Sequence, residues 1–300
     1  MRLEDLNYFL AVAETGHVGR ASTRLGHSQP ALTKGLQRLE KELGIQLFER
    51  TPKGMALTTA GAAFFERARH VRTGLDDAIK EASDLHLGKI GLVRVGVAPA
   101  YVQMLCAPAC SALITQRPAA RIHMTTGLND ALFGALRQGE LDLCISAIAA
   151  SPEPEFDQHP LMEDDLLVMA RDQHPLFDKR SLRFADLVEY GWILPTDKVM
   201  ARRAIDARFL EAGLPTPEVV IESSSTVATL LPVVRTTDLL TVVGQRAAGP
   251  SGGGLRSIPL EQARWRRTIG ICTRRGAYQS PLAKRFIEIV DQHARDLTGA

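Results

Sequence analysis

Apolar residues recur at helical spacing from the start of the chain. Leu6, Phe9, Leu10 and Ala13 follow the i, i+3, i+4, i+7 rule of one buried helix face, and the pattern stops near Gly16. A second short helix is predicted from about Val18 to Leu25. Gly26-His27 then turns the chain, Ser28 stands where a helix N-cap belongs, and Pro30 falls in the first turn, where its missing N–H costs little. A third helix therefore starts at Gln29, with Leu32, Leu36, Leu39 and Leu43 on one face and Thr33, Lys34, Gln37 and Arg38 on the other. Gln46 to Arg50 alternates, Thr51-Pro52-Lys53-Gly54 turns, and Met55 to Thr58 returns, which predicts a two-stranded wing. From Thr59 the period is helical again, with Phe64, Ala68, Val71, Leu75, Ala78, Ala82 and Leu85 stepping alternately by four and three. Such a seam suits a helix that dimerises; packing on its own domain is the other reading.

Downstream, strands alternate with helices. Leu92 to Val97 reads as a strand, a helix ends near Gln116, Arg121 to Thr125 is a second strand, and a helix surrounds Asp130 to Arg137. A later strand covers Trp192 to Pro195. This order predicts a parallel sheet with helices on both faces. Val95 to Gln116 is uncharged for a membrane-spanning length, but Gly96, Pro99, Gln103 and Pro108 break it into a strand, a turn and a helix of a buried core.

A length of 300 residues favours two domains, or one plus an appendage. The apolar fraction of 45%, the charged fraction of 23% and a net charge of +2 are ordinary for a globular protein and exclude disorder and collagen-like repetition. Four cysteines are too few for a disulfide framework, and Arg2, Glu4 and Asp5 interrupt the apolar N-terminus where a signal peptide would not, so a cytoplasmic protein is expected. Charge is uneven locally: between Arg20 and Arg38 lie Arg20, Arg24, Lys34 and Arg38 without one acid. A solvated helix face could carry such charges; an anionic partner would need them.

Three short helices with a tight turn before the last form a helix-turn-helix, whose third helix enters the major groove. On that reading Gln29, Thr33 and Lys34 reach base edges or nearby phosphates, Gln37 and Arg38 the flanking backbone, and the Ser28 hydroxyl a phosphate oxygen. Pro30 shares their face, Arg20 adds a phosphate contact, and Arg50 and Lys53 of the wing flank the duplex.

Enzymatic signals fail. Gly249-Pro250-Ser251-Gly252-Gly253 fits the G-x-S-x-G string, with Asp291 and His293 in the right order, but Pro250 and the glycines replace the strand and helix that a nucleophile elbow requires. It reads as a flexible loop. Cys106 and Cys110 stand four apart with Pro108 between them and no His or Cys pair nearby, which argues against a metal. Phosphate-loop, Rossmann and zinc-protease strings are absent, and no catalytic residue, metal or cofactor is expected.

The run Gly16-His17-Val18-Gly19-Arg20-Ala21-Ser22, then Leu25, Ser28-Gln29-Pro30-Ala31-Leu32-Thr33, Leu39-Glu40, Leu43-Gly44, Leu47-Phe48-Glu49-Arg50 and Leu57-Thr58-Thr59-Ala60-Gly61 resembles the N-terminal domain of LysR-type transcriptional regulators. Gly19, His17 and Ser22 depart from the usual residues, which touches DNA sequence preference and not the fold. Leu136-Arg137-Gln138-Gly139-Glu140-Leu141-Asp142-Leu143, His174-Pro175-Leu176 and Glu222-Ser223-Ser224-Ser225 are similar to the family's regulatory domain.

The resemblance implies an α/β protein with an N-terminal winged helix-turn-helix (1–59), a dimerising linker helix (60–88) and a two-lobed receptor of the periplasmic-binding-protein type 2 (89–300). Lobe one would take 89–161 and 267–300, lobe two 162–266. An effector would sit in the cleft between them, at strand ends and helix N-termini. Pro99, the backbone N–H groups of Ala100 and Tyr101, Asn129, Thr196 and Ser224 are the candidates. Relatives often carry Ser or Thr in the first strand-to-helix turn; Ala98-Pro99-Ala100 has no hydroxyl, which weakens the case for a carboxylate effector. The implied function is a DNA-binding regulator switched by a small molecule. A bifunctional repressor-enzyme and an effector-independent DNA binder are the alternatives. The implied partners are double-stranded operator or promoter DNA, a small-molecule effector, further copies of the chain as a homodimer or homotetramer, and RNA polymerase, with no membrane.

Overall fold

The computed structural model describes residues 2–52, 54–87, 91–149, 153–197, 199–224, 226–246 and 253–299. The chain divides into two compact units, Met1–Ser83 and Asp84–Ala300. The stretch 60–88, expected as a separate linker, therefore belongs for most of its length to the first unit.

The first unit holds α1 (Leu3–Thr15), α2 (Val18–Leu25), α3 (Gln29–Leu43), the hairpin β1 (Phe48–Thr51) and β2 (Gly54–Leu57), and α4 (Thr59–Leu87). Ser28 caps α3, its hydroxyl accepting the Ala31 N–H at 3.4 Å, with Pro30 in the first turn. Phe9, Leu32, Leu39 and Leu47 are fully buried. The rings of Phe48, Phe64 and Phe65 surround Phe9 at 5.3, 5.2 and 6.3 Å. Each such side chain contributes about 2 kcal/mol relative to exposure. Leu43, expected in the core, is 37% exposed, because it is the last residue of α3 and the core beneath that helix closes at Leu39. The expected α4 seam divides as well. Ala68 is buried and Phe64 half-buried against the helix-turn-helix core, whereas Val71, Ala78 and Ala82 face solvent; the Leu85 side chain lies outside the described residues.

Where α3 crosses α1, Gly35 allows contact: a Cβ there would meet Tyr8 Cδ2 at 2.5 Å. One turn on, the fully buried Asp5 carboxylate accepts Arg38 Nε at 2.8 Å and, from the same guanidinium, a second nitrogen. A buried carboxylate needs such a fork to offset its lost water.

The second unit is built on one mixed sheet in the order β4-β3-β5-β11-β6-β9-β7-β8, with β10 added to β6. These strands are β3 (Leu92–Val97), β4 (Arg121–Thr126), β5 (Leu143–Ile148), β6 (Phe156–Arg171), β7 (Gly191–Pro195), β8 (Glu218–Ser223), β9 (Leu240–Gly244), β10 (Leu255–Ser257) and β11 (Arg264–Arg274). The helices are α5 (Ala107–Gln116), α6 (Asn129–Arg137), α7 (Met200–Glu211), α8 (Leu231–Thr236) and α9 (Pro281–Thr298). β3 runs parallel to β4 and β5, and β7 parallel to β8 and β9, one parallel set per lobe. Antiparallel β6 and β11 run through both lobes. Met162 and Ile269 belong to the core of lobe one, Leu166 and Trp265 to that of lobe two, so the strands cross between 163–165 and 266–268. The uncharged stretch from Val95 forms core in lobe one: Val95, Val97, Tyr101, Leu105, Ala109 and Leu113 are all buried.

Two motifs singled out in the sequence do structural work. Asp142 accepts the Arg94 N–H and a guanidinium nitrogen, each at 2.8 Å, tying the turn before β5 to β3. His174 is buried and its pKa falls with desolvation, so the ring is neutral: Nδ1 accepts the Leu176 N–H at 3.1 Å and Nε2 donates to the Asp238 carbonyl at 3.1 Å.

The Asp5–Arg38 fork has a pH signature. Arg38 holds the Asp5 carboxyl below its ordinary value of 3.8, so the pair stabilises the fold fully above that pH and is lost as pH falls through the depressed folded value. Asp5→Asn should cost about 1–3 kcal/mol at neutral pH, from the unpaired guanidinium and the lost charge-assisted bonds. Hydrogen exchange of the α1 and α3 amides measures the gap, which narrows only once the pH drops below 3.8.

Candidate nucleic-acid interface and effector cleft

In the first unit, the residues expected to touch DNA fall into three groups. Gln29, Pro30, Thr33, Lys34 and Gln37 border one shallow concavity on the outer side of α3. All are exposed except half-buried Thr33. Ser28, at the N-cap, is exposed with its hydroxyl hydrogen still available. The Gln29 amide lies against Gly19, where an added Cβ would stand 3.3 Å from Nε2, so the missing side chain at 19 leaves that amide room. Arg20 on α2 and Arg50 on β1 are exposed. Neither they nor Lys34 form an ion pair among the described residues. Arg38 is different. Two of its guanidinium nitrogens fork onto Asp5 and hold α3 on α1, while the side chain stays 41% exposed. Lys53 lies outside the described residues.

In the second unit, a cleft of about 800 Å³ opens between the lobes, a size that suits a small organic molecule. Its walls are mostly apolar: Pro99, Leu128, Ile148, Val199, Met200, Val227 and Trp265 among them. Pro99, Ala100, Tyr101 and Asn129 line it as expected. Two of their expected donors are already committed. The Tyr101 N–H bonds the Ala98 carbonyl at 2.9 Å within the turn, and Asn129 Nδ2 donates to the Ala147 carbonyl at 2.8 Å, leaving its Oδ1 and second amide hydrogen.

Thr196 and Ser224 are not on the cleft wall; Pro195 and Thr226 are. Adjacent side chains at a strand end point to opposite sides, and the Thr196 N–H is bonded to the Ser223 carbonyl at 3.2 Å. The nucleophile-like string is described only at Gly253, its other four residues lying outside the described residues.

The floor of the cleft was missed in the sequence. Here β6 sets Glu163, Asp164 and Asp165 opposite Thr268, Arg267 and Arg266 of β11. Asp164 is nearly fully buried and collects the Tyr101 hydroxyl at 2.8 Å, Arg267 Nη2 at 2.6 Å and the Arg246 N–H at 3.3 Å. Burial, more than any neighbour, raises the Tyr101 pKa far above its ordinary range, so the hydroxyl remains a donor. Gly244 makes room, since a Cβ there would come within 2.6 Å of Arg267 Nη2. Thr268 donates to Glu163 at 2.8 Å. Arg266, exposed and without an ion pair among the described residues, is the free cation at the cleft margin. An acidic triplet followed a hundred residues later by a basic one was the available signal, but pairing at that distance is set by the sheet.

A winged helix-turn-helix and a two-lobed sheet domain with a ligand-sized cleft define a ligand-responsive DNA-binding regulator. The model of the "LysR substrate binding domain" matches residues 87–295, and that of the "bacterial regulatory helix-turn-helix protein, lysR family" matches 3–62. The chain belongs to the LysR family of transcriptional regulators, with a DNA-binding helix-turn-helix and an effector-binding domain. It is 34% identical over 250 residues to the transcriptional regulator GbpR of Azospirillum brasilense, covering 83% of this chain and 73% of that one. It is 27% identical over 300 residues to PcaQ of Agrobacterium fabrum, covering 99% and 96%. Among solved structures, a full-length OxyR variant from Pseudomonas aeruginosa matches with a TM-score of 0.62 at 26% identity, over 98% of this chain and 95% of that one. CbnR, a LysR family regulator, matches with a TM-score of 0.61 at 24% identity, over 98% and 99%. That likeness is one of fold.

Tyr101→Phe removes one donor from a buried carboxylate and should cost about 1–2 kcal/mol. Denaturant unfolding of the second unit should show the loss, and Thr268→Val, whose Glu163 partner is solvated, should show less than half of it.

Proposed function

We propose that this regulator reads its operator through α3 and the wing, and that a small molecule filling the inter-lobe cleft alters that reading and transcription with it. Gln29 and Thr33 meet base edges, while Lys34, Arg20, Arg50 and Lys53 take phosphates. The Ser28 hydroxyl donates to a further phosphate, and Pro30 and Gln37 complete the contact face. The observation that carries this reading is the exposed strip of α3, whose cation Lys34 forms no ion pair among the described residues. Arg38 meets the flanking backbone with the exposed edge of the guanidinium that it also forks onto Asp5.

The apolar walls and the unpaired Arg266 favour an effector with an apolar body and one anionic group, held at the margin and not by the Asp164-bound Arg267. The second unit binds this molecule without turning it over. Val71 and Ile79, 62% and 58% exposed, continue through Ala78 and Ala82 as an apolar stripe on α4. A stripe of this kind is covered by the same helix of a second copy. The assembly works in the cytoplasm and acts on RNA polymerase at the promoter.

DNase protection on the chain's own upstream region, with and without candidate metabolites, tests the whole reading. A footprint that no metabolite changes removes the receptor role, and a metabolite converted to product replaces it with catalysis. Coupling is reciprocal: operator DNA changes effector affinity by the factor through which effector changes operator affinity.

Gln29→Ala should cost about 1–3 kcal/mol on the operator, concentrated at one base position, with little change on random DNA. Lys34→Ala should weaken both and flatten the log–log salt slope by about 1. Fluorescence anisotropy across a salt series separates the two. Val71→Asp with Ile79→Asp should shift the oligomer towards smaller species in analytical ultracentrifugation.

A further inference from the structure

Cys106 and Cys110 look inert in the sequence because Pro108 lies between them and no His or Cys pair is near. The fold changes that. A π-helical turn, Val102–Cys106, runs directly into α5, and Pro108 sits in the first turn of α5, where no N–H is needed. The helix therefore continues through the proline. The two cysteines fall on one face, with Sγ atoms 3.9 Å apart. A third sulfur arrives from another element: Met124, on the edge strand β4, places Sδ 3.6 Å from Cys106 Sγ. Cys106 is buried, Cys110 half-buried and Met124 45% exposed, so the cluster has a dry floor and an opening to solvent.

We propose that Cys106, Cys110 and Met124 form a three-sulfur site for one soft monovalent metal ion, copper(I). Three sulfurs arranged in a plane around an ion at about 2.3 Å, the length of a metal–thiolate bond, stand about 4 Å apart. The two separations above are within a few tenths of an ångström of that spacing. The thioether selects the metal: thiolate and thioether sulfur together suit copper(I), whereas zinc takes four ligands of the thiolate, imidazole or carboxylate type. Among the described residues, no group of three His, Cys, Asp or Glu side chains could hold a harder ion. The ion enters as copper(I) and leaves its oxidation state unchanged. The thiol protons of Cys106 and Cys110 pass to solvent as the metal–sulfur bonds form. Bound metal would pin α5 to β4.

The test uses the full chain, reduced and kept free of oxygen, titrated with copper(I) against a chromophoric copper(I) chelator. One equivalent should bind, and X-ray absorption should show a sulfur-only shell at about 2.3 Å. Cys110→Ala should weaken binding at least about a hundredfold and Met124→Leu about tenfold. Both positions are partly exposed, so the metal-free variants should melt with the wild type. Cys144→Ala, which removes a thiol buried opposite Cys272 in the β5–β11 pair, should bind as the wild type does. Nitrogen or oxygen in the metal shell, unchanged affinity in Cys110→Ala, or tighter binding of zinc(II) than of copper(I) would each overturn the assignment.

Discussion

The buried carboxylate of Asp164 is the contact on which the second unit's geometry depends. It lies where β6 and β11 pass from one lobe to the other, with donors from three separate stretches: the Tyr101 turn, Arg246 two positions beyond β9, and β11 itself. A charge so far from water persists only if each lone pair is answered. The arrangement fixes the Pro99–Tyr101 turn relative to the crossing strands, and that turn is one wall of the cleft. Tyr101 and Arg267, which line the cleft, are thus held by the same carboxylate that joins the lobes.

The first unit solves a related problem by the same chemistry. Asp5 on α1 is buried and Arg38 on α3 reaches down to it, so the helix that carries the outward-facing Gln29, Thr33 and Lys34 is fixed by an ion pair beside its apolar face. Apolar packing alone sets the depth of α3 but allows it to slide or roll; a bidentate fork has one geometry. Of the basic residues in the acid-free stretch, Arg38 is forked onto Asp5, whereas Lys34 forms no ion pair among the described residues. Arg24 is likewise occupied, by Glu14 at 2.5 Å.

The sequence similarity of the HPL and LRQGELDL stretches to the family acquires a physical meaning from these contacts. His174 and Asp142 close turns that would otherwise leave N–H groups without partners, and neither lines the cleft. Such residues mark the fold and not the effector. The cleft wall is the reverse case, being made of alanines, prolines and aliphatic side chains that carry little signature in the chain yet together set which molecule fits.

By itself the sequence determined the helix-turn-helix, the wing, the long fourth helix and the alternation of strands and helices, because these follow from local periodicity, caps and turn residues that lie within a few positions of one another; the two-lobed architecture was implied by the family resemblance, and the antiparallel crossing strands make the sheet mixed where alternation alone predicted a parallel one. It also determined which residues stand on the outer face of α3. Only the tertiary structure decided that Arg38 turns inward to Asp5, that Thr226 and not Thr196 or Ser224 borders the cleft, that Glu163, Asp164 and Asp165 meet Thr268, Arg267 and Arg266, and that Met124 joins Cys106 and Cys110. Each of those outcomes depends on which strands become neighbours and on which side of the backbone a residue lands. Pairing between residues about a hundred or more positions apart is settled by the packing of whole layers and leaves no local pattern to read.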